Sequence, residues 1–200
     1  MRTFLRITLS KILGWDYINK KGYLTPSPKR IKQYEDNMVV GEKVLEIGPG
    51  SGVISRMAFE KGAKEVVAAD INPAAVEATK KHVPQATVLQ SDLFAEVDGK
   101  FDTIIFAAPW SEGTAKAQCA HAVYEDGVVG RFFKDAKKHL AKNGRIWIQY
   151  SDAYPRNYER FHNTIKKHDY RIENEWSYSC FDIMVKKRAK VLLYEIKSMN

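Results

Sequence analysis

Cysteine is scarce. The 200 residues hold two, Cys119 and Cys180, 61 positions apart, with no CxxC pair and no Cys/His spacing. A disulfide framework is excluded on that count, and a zinc site is not expected. No run of 18 apolar residues occurs, so the sequence offers no membrane-spanning helix. Internal repeats and low-complexity tracts are missing too. The opening MRTFLRITLSKILGW has no small-residue cleavage site, and Arg6 and Lys11 interrupt its apolar stretches. A secretory signal is therefore not expected, and a cytoplasmic location is.

Apolar residues make up 44% and charged residues 28%, which fits a folded domain of ordinary size rather than a disordered chain. Positive charge is unevenly spread. The net +8 divides into +7 over residues 1–32, +4 over 185–200 and −3 between them. A near-neutral body with cationic margins excludes a uniformly basic coat for nucleic acid. It leaves the two ends as the places to meet a protein, RNA or DNA partner. Phe4, Leu5, Leu9, Ile12 and Leu13 share one face of a helix, a pattern for packing on the domain or lying over a substrate groove. The proline pair in 22–30 reads as a hinge. The expected division is a basic arm over 1–32 and a domain over 33–200.

Past the hinge the chain alternates. Short apolar strands are expected at 43–47, 65–69, 86–90, 102–106 and 145–150. Helices are expected at 52–61, 73–82, 130–140 and 158–167, with Asn72 as the cap of the second and Gly144 ending the third. Two extended stretches, 171–178 and 189–196, have no long helix between them and should pair antiparallel. The fold expected is α/β: a Rossmann-like sheet of seven strands, mostly parallel with an antiparallel last strand, and helices on both faces. Such sheets bind ligands beyond the carboxyl ends of their strands.

The sequence is most unusual at those ends. Strand 43–47 runs into Gly48-Pro49-Gly50-Ser51-Gly52, where missing Cβ atoms permit a tight turn and close approach of a ligand. A dinucleotide site would want G-x-G-x-x-G; here the spacing is G-x-G-x-G, and Val53 stands at the third dinucleotide glycine. Asp70 closes the second strand, where a carboxylate can accept both hydroxyls of a ribose. Asp92 follows the third and can accept from an exocyclic amine, with Ile71 and Leu93 flanking a purine. Each acid alone is also a common turn former. Together with Glu46 they fall at consecutive strand ends in the order one adenosine ligand needs.

VLEIGPGSG, VVAADINP, QSDLF and FDTIIFAAPW together resemble the class I S-adenosylmethionine-dependent methyltransferases over roughly residues 40–150. The resemblance implies S-adenosyl-L-methionine as cofactor. Glu46 and Gly48, Gly50 and Gly52 would hold its methionine part, Asp70 the ribose, and Asp92 the adenine amine between Ile71 and Leu93. It also implies methyl transfer to nitrogen in a protein or nucleic acid. A small-molecule substrate, or a cofactor-binding module without transfer, stands as the alternative.

After the fourth strand comes Ala107-Ala108-Pro109-Trp110. The branch that methylates planar nitrogens, including the glutamine amide of release factors, reads Asn-Pro-Pro-Tyr there. Pro109 and Trp110 match, Ala107 and Ala108 do not, and the side-chain acceptor is absent while a backbone carbonyl remains. Two further stretches, Asp126 to Phe132 and Tyr23 to Pro28, also resemble the release-factor glutamine methyltransferases. Ala107 to Trp110 are the residues expected to meet the substrate. Asp102, at the wrong end of its strand, is expected to be structural. Ser151, Asp152 and Tyr154, just past the fifth strand, are better placed to act as a base but have an equally good loop reading; His121 and Tyr124 lie in the 111–129 connection expected over the active site, where a lone His is more often a surface residue than a base.

Overall fold

The computed structural model describes residues 17–18, 22–111, 127–182 and 187–199. The expected helical face at 4–13 and the residues His121 and Tyr124 lie outside them.

Seven strands form one sheet: β3 (Lys43–Ile47), β4 (Glu65–Asp70), β5 (Thr87–Gln90), β6 (Phe101–Ala107), β7 (Leu140–Ser151), β8 (Tyr170–Asp182) and β9 (Lys187–Ser198). Their spatial order is β5-β4-β3-β6-β7-β9-β8. The first five are parallel, while β9 runs antiparallel to both β7 and β8. The order reverses at β3, so the crevice of this open sheet lies beyond the ends of β3 and β6. Two short strands, β1 (Tyr17–Ile18) and β2 (Leu24–Thr25), pair separately.

Helices α1 (Pro28–Asn37) and α2 (Val53–Glu60) cover one face, where Tyr34, Met38, Ile54 and Met57 pack on Val44, Ile105, Trp147 and Leu193. Helices α4 (Val128–His139) and α5 (Pro155–Lys167) cover the other, where Phe132, Phe133, Phe161 and Ile165 pack on Leu45, Ile104, Ile146 and Ile148. Helix α3 (Pro73–His82) starts on its proline with Asn72 Oδ1 accepting from Ala74 N–H at 2.9 Å, as the sequence predicts. Among the described residues no helix is long and apolar enough to cross a membrane.

Two expectations shift. The stretch 22–30 is not simply a hinge, because α1 begins inside it at Pro28, and the expected boundary after residue 32 falls within that helix. Gly144 does not stop α4; the helix ends at His139 and β7 opens at once, with a register shift against β6 between Phe101 and Thr103. A Cβ at Gly144 would stand 3.0 Å from Ala141 O and 2.9 Å from Leu140 Cδ1, so a larger residue there needs the turn and the Leu140 side chain to shift.

Candidate active site

Main-chain bonds lace three strand exits together. Gly48 N–H donates to Ala69 O at 2.8 Å, and Ser91 N–H donates to Asp70 O at 3.0 Å. The glycine turn closes on itself through Gly52 N–H to Pro49 O at 2.9 Å. Gly48, Gly50 and Gly52 all adopt positive φ, at 71°, 57° and 77°, a region that disfavours any residue with a Cβ. Their surroundings differ. A Cβ on Gly48 would meet nothing within 4 Å, one on Gly50 would lie 2.5 Å from Leu24 O, and one on Gly52 would press on Val83 and Thr79. The turn is thus open above Gly48 and walled by β2 above Gly50.

Beneath the turn, Glu46 is buried and accepts a hydrogen bond from the Ser55 hydroxyl of α2. Burial pushes its carboxyl up to about 7; the Asp70 charge adds to the rise and the Ser55 bonds oppose it. Asp70 is also raised, chiefly by burial, against two backbone donors: Asn72 N–H at 2.9 Å to Oδ1 and Gly50 N–H at 3.2 Å to Oδ2. Asp70 therefore shapes the turn as well as ending β4. Each of its oxygens keeps a lone pair for a further donor. Ser51 Oγ, within the turn, is buried and has no hydrogen-bond partner among the described residues.

Asp92 sits apart from this cluster. Arg131 Nη1 of α4 donates to its Oδ2 at 2.8 Å, with both side chains about half exposed. Leu93 follows with φ of 53°, held by Ser91 Oγ donating to its carbonyl at 2.9 Å. Ile71 is half-buried just past Asp70.

Beyond β6, Ala108 and Pro109 are buried, and Ala107 and Trp110 are partly so. Asn157 Nδ2 of α5 donates to Trp110 O at 3.1 Å. The Arg30 guanidinium of α1 lies 4.8 Å from the centre of the Trp110 ring. Helices from opposite faces of the sheet thus hold this loop over its edge.

The other candidates take structural parts. Asp102 Oδ2 accepts from Lys43 N–H at 2.9 Å at the far end of the sheet. Asp152 Oδ1 accepts from Lys190 N–H at 2.7 Å, and Ser151 Oγ donates to Lys190 O at 3.0 Å. Ser55, Asn157 and Gln149 were not singled out by sequence reasoning. Each belongs to a different element from the group it serves, and no local spacing marks it.

A family model, the methyltransferase small domain, matches residues 31–174. The chain belongs to the methyltransferase small domain family. The class I resemblance drawn from the strand-end motifs agrees with that placement. This methyltransferase domain is 36% identical over 122 residues to a putative protein N5-glutamine methyltransferase of Methanocaldococcus jannaschii, covering 55% of this chain and 62% of that protein. It is 32% identical over 125 residues to the ribosomal RNA small subunit methyltransferase C of Haemophilus influenzae, covering 60% of this chain and 35% of that protein. The chain therefore spans less than two thirds of either relative. In fold it resembles a putative RNA methyltransferase of Pyrococcus horikoshii, with TM-score 0.66, 19% identity, and 100% and 98% of the two chains covered.

Proposed function

We propose that this chain is an S-adenosylmethionine-dependent methyltransferase that methylates a planar nitrogen in a protein or nucleic acid, related to the release-factor glutamine branch. The observation that carries the reading is the glycine turn, open above Gly48, with Glu46 and Asp70 joined to it and Asp92 two strands away.

The residues fit the cofactor. The space above Gly48 admits a ligand to the backbone, and the buried Ser51 hydroxyl in the same turn has a bond to offer. Glu46 and the turn would take the methionine part, Asp70 the ribose hydroxyls, and Asp92 the adenine amine, with Ile71 and Leu93 against the ring. When bound, the cofactor supplies a methyl on a sulfonium sulfur, activated toward a nucleophile. The chain's own contribution is placement: the Trp110 ring offers a face for stacking, and the backbone carbonyls of the 107–110 loop can accept from an N–H. Positioning of this kind is worth several kcal/mol. The basic ends would serve a macromolecular partner, and a cytoplasmic location goes with that reading.

Calorimetry with S-adenosylhomocysteine tests the cofactor half. Micromolar binding is expected, and Asp70→Ala should weaken it at least tenfold by removing the ribose acceptor and loosening Gly50. No binding at millimolar ligand would overturn the reading. Labelled methyl transfer to fractionated RNA, protein and metabolites tests the rest; tight binding with transfer to none of them would reduce the chain to a binding module.

A further inference from the structure

We infer that Gln149 provides the side-chain acceptor for the nitrogen to be methylated, the role for which Ala107 has no group, so that the acceptor site is built across two strands. This rests on the methyltransferase reading above. Ala107 is the last residue of β6, and Gln149 is its registered partner on parallel β7. Registered neighbours project to the same face of a sheet. The sheet face beside the 107–110 loop therefore carries an amide after all, one strand over.

The orientation of that amide follows from its partners. Gln33 Nε2 donates to Trp176 O at 2.9 Å and to Val191 O at 3.3 Å, so Gln33 must present its oxygen to Gln149. Gln149 Nε2 donates to that oxygen at 2.6 Å. Turning either amide round would set oxygen against oxygen or leave two carbonyls without a donor. Gln149 thus holds Nε2 on α1 and directs Oε1 elsewhere. That oxygen is fully buried and has no hydrogen-bond partner among the described residues. A buried acceptor without a donor lowers stability, and a bound N–H would satisfy it. Strand spacing places Gln149 about 10 Å across the sheet from the Gly48 turn, with β6 and its terminal Ala107 between them. Arg30 on the Trp110 ring and Asn157 on the Trp110 carbonyl hold the loop beside it.

The ligand chemistry is a planar nitrogen carrying an N–H: a primary amide or the exocyclic amine of a base. Its lone pair is delocalised, and an acceptor on the N–H orients it and stabilises the positive charge that develops there.

Gln149→Met keeps the volume and removes the amide. Expected are S-adenosylhomocysteine affinity within threefold of the unchanged chain and transfer to a blocked glutamine or to adenosine at least 30-fold slower. Adding Ala107→Asn to that variant should recover at least threefold, because it restores an amide at the neighbouring position. A measurement on the unchanged chain needs no variant. With S-adenosylhomocysteine bound, the assigned side-chain NH2 signals of Gln149 should shift when blocked glutamine or adenosine is added. A response to glutamine alone assigns the amide, and a response to adenosine alone assigns the aromatic amine. Signals unmoved by both probes, or transfer by the Met variant within twofold, would overturn the inference. A chain that fails to bind S-adenosylhomocysteine fails the function reading instead, and calorimetry shows that before any variant is made.

Discussion

Gly48 and Gly50 share a left-handed backbone, yet a methyl added to each would meet opposite surroundings. At Gly50 the Leu24 carbonyl stands 2.5 Å away and cannot yield without moving β2. Gly50→Ala should therefore lose about 2 kcal/mol or more of stability, conformational strain and the clash together. At Gly48 the space is open, so Gly48→Ala should lose only about 1 kcal/mol. Its methyl would stand where a ligand approaches, so S-adenosylhomocysteine should bind at least tenfold more weakly. Thermal unfolding and calorimetry on the two variants check this. Equal stability losses, or unaltered binding by the Gly48 variant, would contradict the picture of an open turn. Glu46 gives a second test. Its carboxyl keeps its proton to about 7 in the folded chain, whereas the unfolded chain releases it near 4.5. Across that window the unfolded state binds fewer protons, so this group's contribution falls as pH rises and levels off above about 7. The whole effect is on the order of 3 kcal/mol. Glu46→Gln can still accept from Ser55 and should flatten that part of the stability profile between pH 5 and 7. Parallel profiles for the two proteins would count against a protonated Glu46.

The elements show which signals a sequence carries by itself. Strand β3 and helix α3 fall where expected because each is marked locally, β3 by a short apolar run before glycines and α3 by Asn72 capping a first-turn proline. Ser27 and Pro28 are the same kind of signal for α1, with Ser27 Oγ accepting from Arg30 N–H at 3.3 Å. The helix was hidden because its buried face includes Arg30 and Gln33, which apolar periodicity does not count. The strand-end glycines and acids stand out locally, each following directly on an apolar strand, whereas the Gln33–Gln149 pair spans 116 positions. Helix α5 shows the cost of losing such a distant contact. Asn157 reaches back 47 positions to the Trp110 carbonyl, and Asn157→Ala should cost about 1 kcal/mol in stability. Since Asn157 holds the 107–110 loop, proposed above to meet the substrate, and not the glycine turn, cofactor affinity should stay within twofold while kcat falls at least fivefold. A loss of affinity with kcat intact would place Asn157 in the wrong half of the site.

At the scale of the whole molecule, the uneven charge acquires a geometry. Arg30 counts toward the +7 of residues 1–32 but is buried against Trp110, so it adds nothing to an exposed cationic surface. The C-terminal margin is different. Val191 pairs with Ser151, the last residue of β7, and β9 runs antiparallel to it. Lys187, Arg188 and Lys190 therefore extend up to about 13 Å past the end of β7, on the edge of the sheet where the glycine turn and the 107–110 loop lie. All three are exposed. Cations on that edge would draw an anionic or acidic partner to the acceptor site, whereas the −3 of the body would not. Reversing two of them, with Lys187→Glu and Arg188→Glu, should raise the KM for a macromolecular substrate at least tenfold at about 50 mM salt, where the Debye length exceeds about 10 Å. The gap should narrow as salt rises toward about 300 mM, and S-adenosylhomocysteine should bind the doubly reversed protein as before. A KM unaffected at low salt would mean that the partner does not cross this edge, leaving residues 1–29 to grip it; a small-molecule substrate would give that same flat profile in both proteins, and the fractionated transfer assay separates the two because only one of them leaves label in RNA or protein.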